Sequence, residues 1–150
     1  MEGEKKMKIR KARLKDLNII LKLLRTTPEL HGVKGEPIYS KEYVIDSIKD
    51  NKRNVFFIAE ENKKIMGFIF AEIWLKKKYS FLIDIVIVKE HRGRGVGKML
   101  YYHYENYCRK KGIGIISALT QTKNKKTQEF NKRIGLKKGK SFYYYEKELR

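Results

Sequence analysis

The residues best suited to chemistry form one short run, 91–98, with the sequence His-Arg-Gly-Arg-Gly-Val-Gly-Lys. The run lies between an apolar segment, 81–88, and a stretch with helical periodicity. Its three glycines stand at alternate positions, so the backbone can turn sharply and leave its N–H groups uncovered. Together with the start of a helix and the cations Arg92, Arg94 and Lys98, these amides are suited to bind a pyrophosphate.

Two well-known phosphate loops are excluded by their spacing. A Walker A loop has four residues between its first glycine and Gly-Lys, followed by Ser or Thr. Here only three residues separate Gly93 from Gly97, and Met99 follows Lys98. The dinucleotide fingerprint G-x-G-x-x-G follows a first strand, whereas this chain has G-x-G-x-G near its middle. An ordinary basic loop is the structural alternative, but it does not account for three glycines ahead of a helix.

Hydrophobic periodicity predicts the elements that position this run. Apolar stretches predict strands over 8–12, 55–60, 65–75, 80–88, 113–119 and 141–148. Helical spacing predicts helices over 14–25, over 41–49 with Ser40 as N-cap, from Val96 to a stop at Gly112, and from a cap at Asn124 to Gly135. Residues 26–39 contain both prolines and no periodicity, which predicts a loop.

The order of these elements predicts a mixed sheet. Three strands joined by short turns precede the glycine run and predict an antiparallel meander. The strand, turn, helix and strand over 81–119 form a βαβ unit, whose two strands are parallel. We therefore expect an α/β (α+β) fold with one parallel strand pair in an otherwise antiparallel sheet.

Length and charge limit the classes of function. The chain has 150 residues, 41% of them hydrophobic, which suits a single domain, with residues 1–7 as a flexible N-terminal extension. Its formal net charge of +19 attracts anionic partners. Its longest apolar stretch, 81–88, is much shorter than the roughly 20 residues of a membrane span. The N terminus lacks the apolar core of a secretory signal, and Cys108 is the one cysteine, so we expect a cytoplasmic protein.

The run Arg92-Gly93-Arg94-Gly95-Val96-Gly97 resembles the Gln/Arg-x-x-Gly-x-Gly/Ala signature of the GNAT superfamily, the acyl-CoA-dependent N-acyltransferases. The resemblance extends to Asp84-Ile85-Val86-Ile87, which is similar to the central strand of the family. It also extends to Asn124 and to the segment 130–136, which is similar to the second cofactor segment. The resemblance implies a GNAT-like fold, with the parallel strand pair splayed around the cofactor and helices on both faces of the sheet.

The resemblance also implies a cofactor and a reaction. Acetyl-CoA is the expected acetyl donor and a primary amine the expected acceptor, joined by direct attack without a covalent enzyme intermediate. The backbone of residues 85–87 would pair with the pantetheine arm, and residues 93–98 would hold the pyrophosphate. The implied cofactor-binding residues are Ile85, Val86, Ile87, Arg92, Gly93, Arg94, Gly95, Val96, Gly97, Lys98, Asn124, Phe130 and Asn131. The acceptor stays open between a small amine, a lysine and a protein N terminus, with selection expected from residues 26–39 and the helix that follows.

The chain departs from the family pattern at the catalytic positions. Asn131 stands where the family commonly has a tyrosine as the acid, and an amide is not a useful proton donor. Ile83 and Leu119 occupy two positions at which other members carry a glutamate base. The remaining candidates for proton transfer are Glu72, Asp84 and Tyr143. Of these, Asp84 lies within an apolar strand, where a carboxylate is costly unless it has a partner.

The missing acid and the basic charge support alternatives. One is a catalytically weak CoA-binding module on the same fold, and another is an RNA-binding module that uses Arg-Gly-Arg-Gly beside tyrosines. Nucleic acid is the less favoured partner, because the positive charge is spread along the chain and the glycine run occurs once. The sequence leaves a homodimer open. His31, His91 and His103 are too scattered for a metal site, so we expect no metal.

Overall fold

The computed structural model describes residues 6–27 and 39–149. Its strands are β1 (Met7–Lys11), β2 (Asn54–Glu61), β3 (Lys64–Trp74), β4 (Tyr79–Ile87) and β5 (Ile115–Ala118). Its helices are α1 (Leu17–Thr26), α2 (Lys41–Lys49), α3 (Val96–Lys110) and α4 (Lys125–Arg133). The chain divides into two units, the first ending at Leu119 and the second beginning at Thr120. Most of the predicted loop 26–39, and residues 1–5 of the predicted extension, lie outside the described residues.

The first unit contains one five-stranded sheet in the order β1-β2-β3-β4-β5. The pairs β1–β2, β2–β3 and β3–β4 are antiparallel, and the pair β4–β5 is parallel. The β2–β3 hairpin turns through Asn62 and Lys63, both with positive φ, as the two-residue turns that match strand twist require. The predicted meander and the predicted parallel pair are both confirmed.

Helices cover both faces of this sheet. The α1 and α2 helices bury Ile20, Leu24, Val44 and Ile48 against Phe56, Ile58, Phe68, Phe70 and Val86. On the opposite face, the Phe57 ring meets the rings of His103 and Tyr107 of α3 at 4.6 and 5.5 Å, edge to face. Because successive apolar side chains of β2 and β3 point to opposite faces of the sheet, each of these strands packs against the helices on both faces. The predicted two-sided arrangement is confirmed.

A β-bulge in β4 reverses the side to which its later side chains point. Phe70 pairs with Asp84 and Ala71 pairs with Leu82, so Ile83 is an extra residue without a partner on β3. Before the bulge, Ser80 points to α3, where its hydroxyl meets that of Tyr104. After it, Asp84 lies on the face covered by α1 and α2. The bulge therefore decides which layer receives the carboxylate.

The helix ends follow the predicted signals. The Ser40 hydroxyl accepts a hydrogen bond from the Tyr43 amide at the start of α2, and the Asn124 side chain accepts one from Thr127 at the start of α4. Gly112 follows α3 with φ +76°, and Gly135 follows α4 with φ +90°. None of the helices among the described residues has the length and apolar character needed to cross a bilayer.

The predicted last strand, 141–148, is wrong. Residues 141–149 contain no strand, and the side chains of Phe142, Tyr143, Tyr144 and Tyr145 are 73 to 88% exposed. Aromatic residues favour strands only where they pack on one face of a sheet. Four consecutive aromatic residues have no alternation that separates an inner from an outer face, so the pattern does not specify a strand register.

A buried hydroxyl pair ties β4 to α3. The Ser80 hydroxyl donates to the Glu72 carbonyl at 2.7 Å and therefore accepts from the Tyr104 hydroxyl at 2.6 Å. We expect Ser80→Ala to lower the free energy of unfolding by about 2 kcal/mol, because two buried polar groups lose a partner. Urea unfolding measures this, with the exposed Ser141→Ala as control. Equal losses in the two variants would contradict the prediction.

Candidate active site

The second half of β4 has an open backbone edge. β5 pairs with β4 only at Tyr79–Leu82, so among the described strands Ile85, Val86 and Ile87 pair with β3 alone. The Val88 amide donates to the Met66 carbonyl on β3 at 2.8 Å. Since hydrogen-bonded pairs alternate along antiparallel strands, Val86 also bonds to β3, and the amides and carbonyls of Ile85 and Ile87 point to the open edge. An extended polar chain can bond there as an added strand does.

The edge leads into the predicted turn. Gly93 and Gly95 have φ of +77° and +80°, values that favour glycine, and Gly95 is the N-cap residue of α3. Within the described residues, no backbone or side-chain oxygen accepts a hydrogen bond from the six backbone N–H groups of residues 93–98. These N–H groups at the positive end of a helix form a cradle for an anion.

The three predicted cations surround the turn and are themselves held in place. The Arg92 Nε atom donates to the Ile87 carbonyl at 3.1 Å. Arg94 forms an ion pair with Glu61 at 3.2 Å and contacts the His91 ring nitrogen at 3.1 Å. The Lys98 ammonium lies 5.9 Å from the centre of the Tyr102 ring. The structure therefore brings these three positive side chains to one turn.

The Asp84 carboxylate lies in an apolar pocket next to this strand edge. The Tyr39 hydroxyl donates a hydrogen bond to Asp84 Oδ2 at 2.9 Å. The pocket wall consists of Leu24, Tyr39, Tyr43, Val44, Ser47, Phe56, Phe68 and Phe70. Burial raises the pKa of Asp84 to about 6, and the Tyr39 hydrogen bond opposes that rise. A carboxyl group with this pKa can accept a proton near neutral pH and release it again.

Glu72 occupies the same face of the sheet in a more open place. The Tyr43 hydroxyl donates to Glu72 Oε1 at 3.0 Å. Burial, reinforced by this hydrogen bond to a carboxylate, raises the pKa of Tyr43 to about 12. Both tyrosines therefore remain protonated donors at neutral pH. The Tyr39 and Tyr43 rings are stacked at 5.4 Å, so the structure brings two predicted carboxylates to one pair of aromatic rings.

The other predicted residues belong to the second unit. Asn124 caps α4, and the Asn131 side chain donates to the Thr120 hydroxyl at 2.9 Å. Phe130 is half-buried on α4. Tyr143 is 88% exposed in the segment that contains no strand. Their roles at a cofactor or in proton transfer stay predictions.

The sequence did not single out Tyr39 or Tyr43 as residues of the site. Both lie in segments from which acceptor selection is expected, Tyr39 at the end of the loop 26–39 and Tyr43 in the helix that follows. Their spacing of four residues across the Ser40 cap is the one local signal that pairs them. Their carboxylate partners lie 45 and 29 residues away in the chain, at positions that only the sheet register defines.

Gly67 allows β3 to approach β4 closely beside the open edge. A Cβ atom at this position would lie 2.5 Å from the Val86 carbonyl oxygen and 2.8 Å from Ile87 Cδ1. We expect Gly67→Ala to lower the free energy of unfolding by more than about 2 kcal/mol, because the β4 backbone must move. Urea unfolding measures this. Gly139→Ala is the control, since its Cβ would meet nothing within 4 Å, and a loss no larger than that of the control would contradict the expectation.

Comparison with known proteins agrees with this geometry. The profile of the acetyltransferase (GNAT) family matches residues 18–136. The chain is 25% identical over 144 residues to the uncharacterized N-acetyltransferase YhfO of Bacillus subtilis, covering 93% of this chain and 95% of YhfO.

Solved structures share the fold. PaiA N-acetyltransferase from Thermoplasma acidophilum, in complex with coenzyme A, has a TM-score of 0.74 and 22% identity and covers 87% of this chain and 89% of its own. The aminoglycoside N-acetyltransferase AAC(6')-Iy in complex with CoA has a TM-score of 0.76 and 19% identity and covers 98% of both chains. The family match spans most of the chain and includes the glycine turn. The resemblance in the sequence is thus confirmed: the chain belongs to the acetyltransferase (GNAT) family of acetyl-CoA-dependent acyltransferases.

Proposed function

We propose that the chain transfers the acetyl group of acetyl-CoA to a primary amine by direct attack of the amine nitrogen. One observation carries this proposal: an open strand edge, Ile85–Ile87 on β4, runs directly into a turn whose six amides have no partner in the part of the chain that the structure describes. The edge suits the amides of a pantetheine arm, and the turn suits a diphosphate. Arg92, Arg94 and Lys98 supply the positive charge beside it.

The residues present fit acetyl-CoA. The groups at the β4 edge and at residues 93–98 are backbone donors and acceptors, which bind amides and phosphates without a specific side chain. Gly93 and Gly95 leave the turn uncovered, since a Cβ at either would meet nothing within 4 Å. Acetyl-CoA supplies an acetyl carbonyl that an amine can attack, with CoA leaving as a thiol.

The protein must remove a proton from the acceptor, because an aliphatic amine is an ammonium ion at neutral pH. We assign this role to Asp84, whose half-buried carboxylate is basic enough to accept a proton at neutral pH. The nitrogen keeps the electron pair of the broken N–H bond and uses it for attack. Overall, the ammonium ion and acetyl-CoA give one amide, one CoA thiol and one proton, and Asp84 returns that proton to solvent. Glu72 is the second candidate base, and Tyr143 is a candidate acid.

The experiment that tests the proposal has two steps. Calorimetry with acetyl-CoA measures donor binding, and thiol release across a panel of amines measures transfer. The panel covers small amines, aminoglycosides, lysine peptides and peptide N termini. The similarity to AAC(6')-Iy, named an aminoglycoside acetyltransferase, supports including that class. We expect micromolar donor binding and thiol release with at least one class. Binding without release for every amine would favour a CoA-binding module instead, for which Asn131 in place of a tyrosine is the sequence argument.

A further inference from the structure

The Asp84 pocket has room for very little besides the carboxylate. Its free volume is about 10 Å³, which is enough for the centre of a single water molecule. Leu24 of α1, Val44 of α2 and Phe56 of β2 contribute apolar atoms to its wall. The pocket itself therefore has no room for an acceptor molecule, and Tyr39 supplies the one hydrogen bond that reaches the carboxylate from a described side chain.

The Tyr39 ring is fixed from two sides. It stacks on Tyr43 with an angle of 15° between the ring planes, and it meets the Phe70 ring edge-on at 6.3 Å. Tyr43 meets Phe70 in the same way at 6.1 Å and is anchored by its hydrogen bond to Glu72. Rings held by several contacts lose little freedom when their hydroxyls donate, so the Tyr39 hydroxyl is aimed in advance at Asp84.

We infer that Tyr39 is a positioning residue that keeps the Asp84 carboxylate ionised and oriented, so that Asp84 accepts the acceptor's proton through one intervening water. This inference rests on the proposed function. In the transfer, an N–H bond of the ammonium breaks and the water takes that proton. One of the water's own protons forms the O–H bond on Asp84, and the electron pair stays on nitrogen.

The electrostatics of the pocket support this role. Burial favours the neutral acid form of Asp84, which cannot accept a proton, whereas a hydrogen bond donated to the carboxylate favours the charged form. The titratable groups near Asp84 among the described residues are Tyr39, Tyr43 and Glu72. None of them carries a positive charge, so no described cation shares the task of keeping Asp84 ionised. Tyr39 itself stays protonated, because burial and the neighbouring Asp84 charge raise its pKa.

Tyr39→Phe tests the inference, since it removes the hydroxyl and keeps the ring. The first readout is a carbon-13 NMR titration of the Asp84 carboxyl group in the free protein. We expect its midpoint to move to higher pH by about one unit, the usual effect of losing one hydrogen bond to a charged group. The second readout is the pH profile of kcat/KM, in which the acidic limb should move by the same amount. At pH 6.5 the value should fall about threefold, because the ionised fraction of Asp84 falls from about three quarters to about one quarter, while the Kd for acetyl-CoA stays unchanged.

Tyr43→Phe is the matched control, because it makes the same change one helical turn away, at the hydroxyl that faces Glu72. It should leave the Asp84 titration where it is in the wild-type protein. The inference would be overturned if the NMR titration midpoint of Asp84 were the same in Tyr39→Phe and wild type. It would also be overturned if that midpoint moved while the acidic limb of the kcat/KM profile did not. Absence of thiol release by the wild-type protein with every amine would instead refute the proposed function, on which the inference depends.

Discussion

Replacing Gly95 by tryptophan should raise the Kd for acetyl-CoA at least about 100-fold, a loss of roughly 3 kcal/mol. Gly95 has φ +80° at the start of α3, between amides that have no partner among the described residues. A Cβ at this position meets nothing within 4 Å, so an indole ring there is free to cover those amides. The ring would occupy the space that a diphosphate needs. Calorimetry with acetyl-CoA measures the loss.

The control must share the backbone strain of this variant, because a residue other than glycine in this conformation costs about 1–2 kcal/mol by itself. Gly112 offers that match: its φ is +76°, its Cβ would also meet nothing within 4 Å, and it lies beyond the opposite end of α3. Gly112→Trp should lower stability by a similar amount and leave the Kd for acetyl-CoA unchanged. If both variants bound acetyl-CoA equally well, the glycine turn would not be the diphosphate site.

Asp84→Asn should lower kcat about 10²- to 10⁴-fold, the usual range for removing a general base. The amide keeps the shape of the side chain and still accepts the Tyr39 hydrogen bond, but it cannot take a proton. In the wild-type protein, kcat/KM should rise with pH and level off above the Asp84 pKa of about 6, because the ionised form is the base. The variant should lose this rise. Glu72→Gln is the comparison, and a larger loss there than in Asp84→Asn would move the role of base to Glu72.

Asp84→Asn should also make the protein more stable at neutral pH. Burial raises the folded-state pKa of Asp84 from 3.8 to about 6, so the folded protein binds this proton more tightly than the unfolded chain does. Stability is therefore lost as pH rises through this interval, by about 2 to 3 kcal/mol in total. Asparagine carries no such cost. Urea unfolding at pH 7.5 should show the variant more stable than wild type, with little difference near pH 4.

The sequence predicted the features that depend on local physics. Gly93, Gly95 and Gly112 stand where the backbone adopts positive φ, and Ser40 and Asn124 cap their helices as their side chains allow. The parallel pair of strands followed from the βαβ order, because a crossover helix leaves no other simple arrangement. Each of these depends on residues that are neighbours in the chain.

The features that the sequence missed depend on distant pairing. The contact between Tyr39 and Asp84 spans 45 residues and exists because a bulge turns Asp84 toward α2. Periodicity cannot reveal such an extra residue in a strand that is apolar on both faces. The prediction of a strand over 141–148 is wrong for a different reason. The composition of this segment favours a strand, but a strand also needs a partner strand for its backbone hydrogen bonds.

The bulge at Ile83 determines how β4 tolerates a change in length. Regular alternation from Ser80 and Leu82 would place residue 84 on the side of the helix that carries Tyr104, away from both stacked tyrosines. Because the bulge takes up Ile83, Leu82 and Asp84 instead stand opposite the consecutive residues Ala71 and Phe70. Deleting Ile83 would therefore give a regular strand in which the carboxylate keeps its face, whereas inserting one more residue that pairs regularly with β3 would turn Asp84 away from the tyrosines.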